Sequence, residues 1–286
     1  MRPVIKILGA LALALTAAVV PTAGGVARAA EPKVLNVMSW NMCGVIRWGC
    51  TSTADAKIGV VKYHVANTFV QAAVLQEVCE NDLTKLMGEL GSGWHKAFTP
   101  YLWSEDGRTS PITCDTDRAG VAVIAKVGLS DAKVHATTQP WTGMHRPLLC
   151  ATATYWNTRL CSVHLTPHPG GNPDHPEWDY RDDQIAEIRS LVGGFPNFVI
   201  GGDFNVKPPE WPGTQDAWVW GSGLYYNGTS GYVECDQQGA ARTGGATHDS
   251  NTKIDYIFSS EARRWCARAD SVHSDHHVLV ESVEVV

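Results

Sequence analysis

Apolar runs that end in an amide, a carboxylate or an imidazole recur along this chain, and their spacing sorts them into strands and helices. Val34-Leu35-Asn36-Val37-Met38-Ser39-Trp40-Asn41 alternates loosely and closes on Asn41, which suits a core strand. Thr53 to Phe69 instead sets Ile58, Val61, Val65 and Phe69 at helical spacing, the stripe of an amphipathic helix. His64 lies beside that stripe and reads as a surface or internally bonded histidine. Ala72 to Val78 predicts a second strand that runs from apolar residues into Glu77. Asn81 to Leu90 predicts a short helix, opened by Asn81 or Asp82 and stopped by Gly91.

Between Trp94 and Leu149 the pattern weakens. Gly120 to Ala125 reads as a buried strand, preceded by a polar loop, Ser104 to Arg118, whose Arg108 and Arg118 are candidate phosphate contacts. Leu160 to Leu165 is a strand with His164 at its polar end, and a loop rich in Pro, Gly and His follows, holding His168 and His175. Tyr180 to Val192 has helical spacing, with Ile185, Ile188 and Leu191 or Val192 inward. Phe198-Val199-Ile200-Gly201-Gly202-Asp203-Phe204-Asn205 turns from apolar to polar within a few residues. The two glycines let the backbone bend, and Asp203 and Asn205 then point the same way. Lys207 to Gly245 is dense in aromatics: Trp211, Trp218, Trp220, Tyr225 and Tyr226. They are expected to pack as a subcore, a substrate groove or a membrane-facing surface being the other uses. Lys253 to Phe258 alternates, with Ile254, Tyr256 and Phe258 on one face and Asp255 on the other, while Ser274 to Val280 runs from polar into apolar. Asn227-Gly228-Thr229 fits a glycosylation acceptor.

Composition narrows the class. The chain has 286 residues, 44% of them apolar, which suits one large domain, and no segment after the first thirty residues is apolar for long enough to span a bilayer. Residues 1–29 read as an export signal: Arg2 and Lys6, then the apolar run Ile7 to Val20, then Ala27-Arg28-Ala29. The expected product is a secreted, monomeric catalytic domain of residues 30–286; an uncleaved anchor is the alternative. Without Arg2, Lys6 and Arg28, 20 basic residues face 29 acidic ones, a net charge of −9 with His neutral. No general basic patch is left for nucleic acid, so a polyanionic substrate would be held by a metal and a few local Arg or Lys residues. All eight cysteines lie in the exported part. Cys150 and Cys161 flank a hairpin-like stretch and suit a bridge between adjacent strands. Cys43 with Cys50, Cys79 with Cys114 and Cys235 with Cys266 are expected for the rest, although eight cysteines allow about a hundred connectivities.

Eight polar residues therefore sit at or beside strand ends: Asn41, Glu77, His164, Asp203, Asn205, Asp255, Asp275 and His276. The blocks that carry them are Ser39-Trp40-Asn41, Leu75-Gln76-Glu77-Val78, Val163-His164-Leu165, Gly202-Asp203-Phe204-Asn205, Lys253-Ile254-Asp255-Tyr256 and Ser274-Asp275-His276. In type and order they resemble the endonuclease/exonuclease/phosphatase superfamily, the group of pancreatic deoxyribonuclease, abasic-site endonucleases, bacterial sphingomyelinases and inositol polyphosphate 5-phosphatases.

The resemblance implies a four-layer α/β/β/α sandwich of two mixed sheets flanked by helices. It implies that Glu77, with Asn41 and Asp275, binds Mg²⁺, with Mn²⁺ or Ca²⁺ as other candidates. It makes His276 the general base, oriented by Asp255, gives Asp203 and Asn205 the nucleophile and the charge developing on phosphorus, and gives His164 the phosphate or leaving oxygen. Cys43 departs from a pattern of some abasic-site nucleases, which carry a second acidic residue there, and this argues against a second metal at that place. The implied activity is metal-dependent phosphodiester hydrolysis, with nucleic acid, DNA before RNA, as substrate. A sphingomyelinase-like phospholipase C acting on phospholipid head groups, a phosphomonoesterase and an inactive exported binding module are the alternatives.

Overall fold

The structure is a computed structural model that describes residues 31–115, 117–168, 178–270 and 272–285. The expected signal segment 1–29 and His175 lie outside these residues. In chain order the first half runs β1 (Lys33–Asn41), α1 (Ala54–Asn67), β2 (Ala72–Cys79), α2 (Glu80–Leu90), β3 (His95–Pro100), β4 (Leu102–Glu105), β5 (Arg108–Pro111), β6 (Ala119–Ala125), β7 (Leu129–His135) and β8 (Gly143–His145). The second half runs β9 (Leu148–Ala153), β10 (Thr158–His164), α3 (Tyr180–Val192), β11 (Phe198–Asp203), β12 (Val233–Glu234), β13 (Asp255–Ser259), β14 (Ala262–Ala269) and β15 (Val278–Val285).

Two six-stranded sheets lie face to face, ordered β14-β15-β1-β2-β6-β3 and β12-β13-β11-β10-β9-β7. Each contains one parallel pair, β1 with β2 and β10 with β11, among antiparallel neighbours. Val37, Val74, Val123, Ala151, Leu160, Val199, Ile257 and Leu279 fill the space between the sheets. Outside the first sheet, Ile58, Val61, Leu83 and Leu86 of α1 and α2 pack on Met38, Trp40 and Leu75. Outside the second, Ile185, Ile188 and Val192 of α3 pack with Ile200, Phe204 and Phe258. This is the four-layer α/β/β/α sandwich, each apolar face covered by another layer.

The local reasons match the patterns. Thr53 caps α1 by accepting from the Ala56 amide, and Gly91 ends α2. Gly201 faces the opposite sheet so closely that a Cβ would come within 3.0 Å of Ser39, and a Cβ on Gly202, at φ 155°, would strike the Val163 carbonyl. Disulfides join Cys43 to Cys50, Cys79 to Cys114, Cys150 to Cys161 and Cys235 to Cys266. Cys150 and Cys161 are register partners across β9 and β10, as the hairpin reading required.

Some expectations change. The loop expected from Ser104 to Arg118 contains a hairpin, and β5-β4-β8 form a third, small sheet. Helix α2 is capped by Cys79, before either expected residue. Phe69, expected on the helix stripe, is 72% exposed, because α1 has already ended and the backbone there is left-handed. His64 is buried, its Nδ1 3.3 Å from Thr68 Oγ1. The aromatic segment packs largely as a subcore: Trp220 and Tyr225 join Phe204, Tyr256 and Phe258, while Trp218 remains 57% exposed.

Candidate active site

The parallel pairs explain why the site sits where it does. Parallel strands bring their carboxyl ends to the same edge, so β1 delivers Asn41, β2 Glu77, β10 His164 and β11 Asp203. His164 and Asp203 are register partners, and Asp203 is in turn opposite Asp255 on β13. His276 arrives on the segment before β15, its carbonyl accepting from Trp40 Nε1 at 3.1 Å. Together they floor a cleft of about 720 Å³.

A bulge sets the position of Glu77. The β2–β6 register slips between Leu75 and Val78, so the chain gains a residue and Glu77 takes a left-handed conformation at φ 51°. Its amide donates to the Tyr101 hydroxyl at 2.9 Å, and its carboxylate accepts from Asn41 Nδ2 at 3.0 Å. Asn41 is itself oriented by accepting from the Cys43 amide. Asn205, also left-handed at φ 51°, donates from its amide to Asp203 and from its side chain to the Leu165 carbonyl. Arg181 of α3, paired to Asp179, holds the Asn205 carbonyl from behind. Strained backbone at several residues of one site persists only where the surroundings over-determine it, as these hydrogen bonds do.

Asp203 is the hub. Its Oδ2 lies 3.3 Å from Asn41 Nδ2, 3.5 Å from His164 Nε2 and 3.8 Å from His276 Nε2. His276 Nδ1 lies 3.0 Å from both Asp255 oxygens, and Asp255 accepts from Thr247 Oγ1 at 2.8 Å. This leaves Nε2 facing the cleft. The tautomer of His164 follows from its partners: Tyr101 spends its acceptor on the Glu77 amide and gives its proton to His164 Nδ1, 2.8 Å away, so Nε2 carries the hydrogen.

Burial and charge shape the protonation states. Burial pushes Glu77 up and Asp203 up to about 7, with Asn41 and His276 respectively opposing. Burial alone would push His276 down, but Asp255 and Asp203 outweigh it and hold it up at about 10. Burial takes His164 well below its ordinary range, so it is a neutral donor. A hydrogen bond from His248 holds Asp275 down at about 2.

All eight strand-end residues thus meet. Asp275, half-exposed, sits at the mouth with Oδ1 3.9 Å from His276 Nε2 and Oδ2 3.4 Å from His248 Nε2. The two expected arginines do not reach the cleft: Arg118 is locked to Glu80 by two hydrogen bonds, and Arg108 is exposed on the β4–β5 hairpin. Arg146 is in the cleft instead, partly buried, its charge felt by Glu77, His164 and Tyr101. Tyr101, Thr247 and His248 also escaped the sequence reading. A signal for Arg146 existed: counting outward from the Cys150–Cys161 pair sets Pro147 opposite His164, the end of β10, and Arg146 one residue beyond it.

Residues 38–276 match the Endonuclease/Exonuclease/phosphatase family, which spans every strand-end residue of the cleft. The chain belongs to this family. As a member of the endonuclease/exonuclease/phosphatase family it is an enzyme of phosphoester hydrolysis. No curated protein matches the sequence. Among solved structures the chain is similar to an endonuclease/exonuclease/phosphatase from Beutenbergia cavernae, at 19% identity over 88% of this chain and 72% of that one, TM-score 0.63. It is similar to the human Nocturnin catalytic domain with bound sulfate, at 16% identity over 90% and 94%, TM-score 0.61. It is also similar to D. rerio TDP2 complexed with a single-strand DNA product, at 17% identity over 87% and 98%, TM-score 0.59. At these identities the likeness shows a shared fold. Family members are generally dependent on divalent metal, and the cleft suits one: the carboxylates of Glu77 and Asp203 line it and offer the hard oxygen ligands that such an ion takes.

Proposed function

We propose that this chain is a secreted, metal-dependent phosphodiesterase, most at home as an endonuclease on DNA and with RNA as a further substrate. The arrangement that carries the reading is His276, oriented by Asp255 through Nδ1 and open to the cleft through Nε2, facing Asp203 beside Glu77 and Asn41. Glu77, Asn41 and Asp275 would hold Mg²⁺, or Mn²⁺ or Ca²⁺ in its place. The ion would supply positive charge against the phosphate oxygens and against the excess carboxylates that keep His276 protonated.

His276 Nε2 then takes a proton from water, while Asp203 and Asn205 orient that water and keep the imidazole near it. The water oxygen bonds to phosphorus as the bond to the leaving oxygen breaks, and His164 Nε2–H and Arg146 face the charge that develops. Through Nε2–H the neutral His164 would hydrogen-bond the leaving oxygen, which takes its proton from solvent water. The eight intact site residues support an enzyme over an inactive binding module.

Nucleic acid is favoured by Arg146 and Arg47, which both line the cleft of an otherwise acidic chain. D. rerio TDP2, of the same fold, was captured with a DNA product, which supports the reading. Export of residues 30–286 as a monomer rests on the signal-like first segment and fits the four disulfides. The phospholipase alternative draws on the acidic charge and on the Trp211 to Tyr226 aromatics, of which Trp220 and Tyr225 are buried and Trp218 is exposed.

The test is to incubate the oxidised protein with Mg²⁺, with and without chelator, against plasmid DNA, RNA and sphingomyelin liposomes. Chelator-sensitive loss of nucleic acid is expected. Release of phosphocholine with nucleic acid intact would move the chain to the lipase branch, and a fully active His276→Ala variant would overturn the mechanism.

A further inference from the structure

One wall of the cleft is aromatic, and none of its rings is required by the hydrolytic steps. Trp103 of β4 lines it. Behind it Tyr101 is fully buried and bonded to His164. Trp48 flanks the same ring, its centroid 6.2 Å from that of Tyr101. Trp48 and Trp103 are 40% and 45% exposed and both line the cleft. Such exposure is informative when two large rings share a concave surface.

Both indoles are held in place before any ligand arrives. Trp103 lies on the central strand of the small sheet, with its Nε1 donating to Glu105 at 3.3 Å. Trp48 ends a short helical turn inside the loop closed by the Cys43–Cys50 disulfide, and the Gly44 amide ties that loop to the Glu77 carbonyl. Rings that need no ordering on binding offer their faces at low entropic cost.

The charges beside them select the ligand. A quaternary ammonium also favours aromatic faces, but Arg47 and Arg146 line this cleft and would repel it. A planar ring carried on an anionic phosphodiester satisfies both the indoles and the arginines. We propose that Trp48 and Trp103 form a stacking wall for an unpaired nucleobase next to the scissile phosphate, which makes unpaired nucleic acid the preferred substrate class. A base inside a duplex is already stacked and paired, and must be freed before it can meet the wall. This inference rests on the phosphodiesterase reading and adds the substrate's state to it.

The experiment compares a single-stranded thymidine oligonucleotide, the same strand annealed to its complement, and a strand of equal length with baseless sugars, all with Mg²⁺. The expected parent prefers the base-bearing single strand in kcat/KM over both others. Trp48→Ala and Trp103→Ala should each lower the ratio of base-bearing to baseless turnover by about tenfold, chiefly through KM, as loss of one stacking partner does. Trp→Phe at either place should restore most of it. Anisotropy of the labelled strand in chelator should show the same weakening without turnover. An unchanged ratio in the alanine variants, with both strands still cleaved, would overturn the wall and leave the phosphodiesterase standing. Cleavage of no diester even by the parent would overturn both, and turnover of phosphocholine diesters alone would assign the wall to a lipid head group.

Discussion

Two clusters of buried charge begin two residues apart in the chain and behave as opposites. Asp255 backs His276 at a cleft lined by Asp203, Glu77 and His276, whereas Lys253 is fully buried with Glu234 and Asp236, at 3.1 and 3.4 Å, and its ammonium lies 4.9 Å from the Tyr256 ring. Glu281 lies near, with neither oxygen meeting a hydrogen-bond donor among the described residues. Each cluster has members as buried as the apolar core, Asp203 and Asp255 in the first and Lys253 and Glu234 in the second. What separates them is access and composition: the first opens to solvent and contains imidazoles that trade protons, and the second is closed around an ammonium. Burial of charge alone therefore does not mark a catalytic site.

The contrast breaks most sharply at His276. His276→Ala should lower turnover by about 10²- to 10⁴-fold, the range for a lost general base, with a melting temperature close to the parent's. Steady-state kinetics beside a thermal melt checks both halves. Lys253→Met should do the reverse and destabilise the fold by about 3–5 kcal/mol, because Glu234 and Asp236 are left buried without their cation. Denaturant titration reads this, and Glu234→Gln added to Lys253→Met should recover part of the loss; no recovery would show that the three do not act as a unit.

Removing the Cys235–Cys266 bridge by a double serine substitution should cost about 3 kcal/mol, since it closes a long loop, and should leave the cleft chemistry in place. The Cys43–Cys50 bridge instead packs beside Glu77, with Cys50 Sγ 3.9 Å from its Oε2, so its double serine variant should weaken metal binding, read by calorimetry.

A smaller effect is in pH. Burial raises Glu234 to about 7 and Glu281 well above 4.5, so the folded chain holds these protons more tightly than the unfolded one. Their stabilisation is complete below pH 4.5 and falls as pH rises above it, Glu234's share being lost by about 7 and Glu281 adding to the loss in the same direction. Glu281→Gln should flatten the upper part of that slope in melts taken across pH. The smallest effect is expected at Arg118→Ala, whose exposed pair with Glu80 should matter little to stability or turnover.

The core strands were legible because they carry their burial in their composition, whereas their four-layer arrangement came from the family resemblance alone. Glycines at 201 and 202 and the Cys150–Cys161 hairpin are short-range signals, and the structure agrees with each. The small sheet β5-β4-β8 was not legible, because its strands are short, polar and mostly exposed. Arg118 and Arg146 show the same limit within the cleft. As isolated charges on the sequence they look alike, yet one meets Glu80 on the surface and the other is partly buried in the cleft near His164.

The sequence by itself determined which strands are apolar and which polar residue ends each of them, because burial and the two-residue period of a strand are local facts about neighbouring side chains. Only the tertiary structure decided that a bulge would turn Glu77 toward Asn41, that Tyr101 would set the His164 tautomer, and that Lys253 would be enclosed while Asp255 backed a histidine that lines the cleft. The reason is physical: a side chain's direction and charge state depend on partners far along the chain, and those partners are chosen when the sheets close on one another.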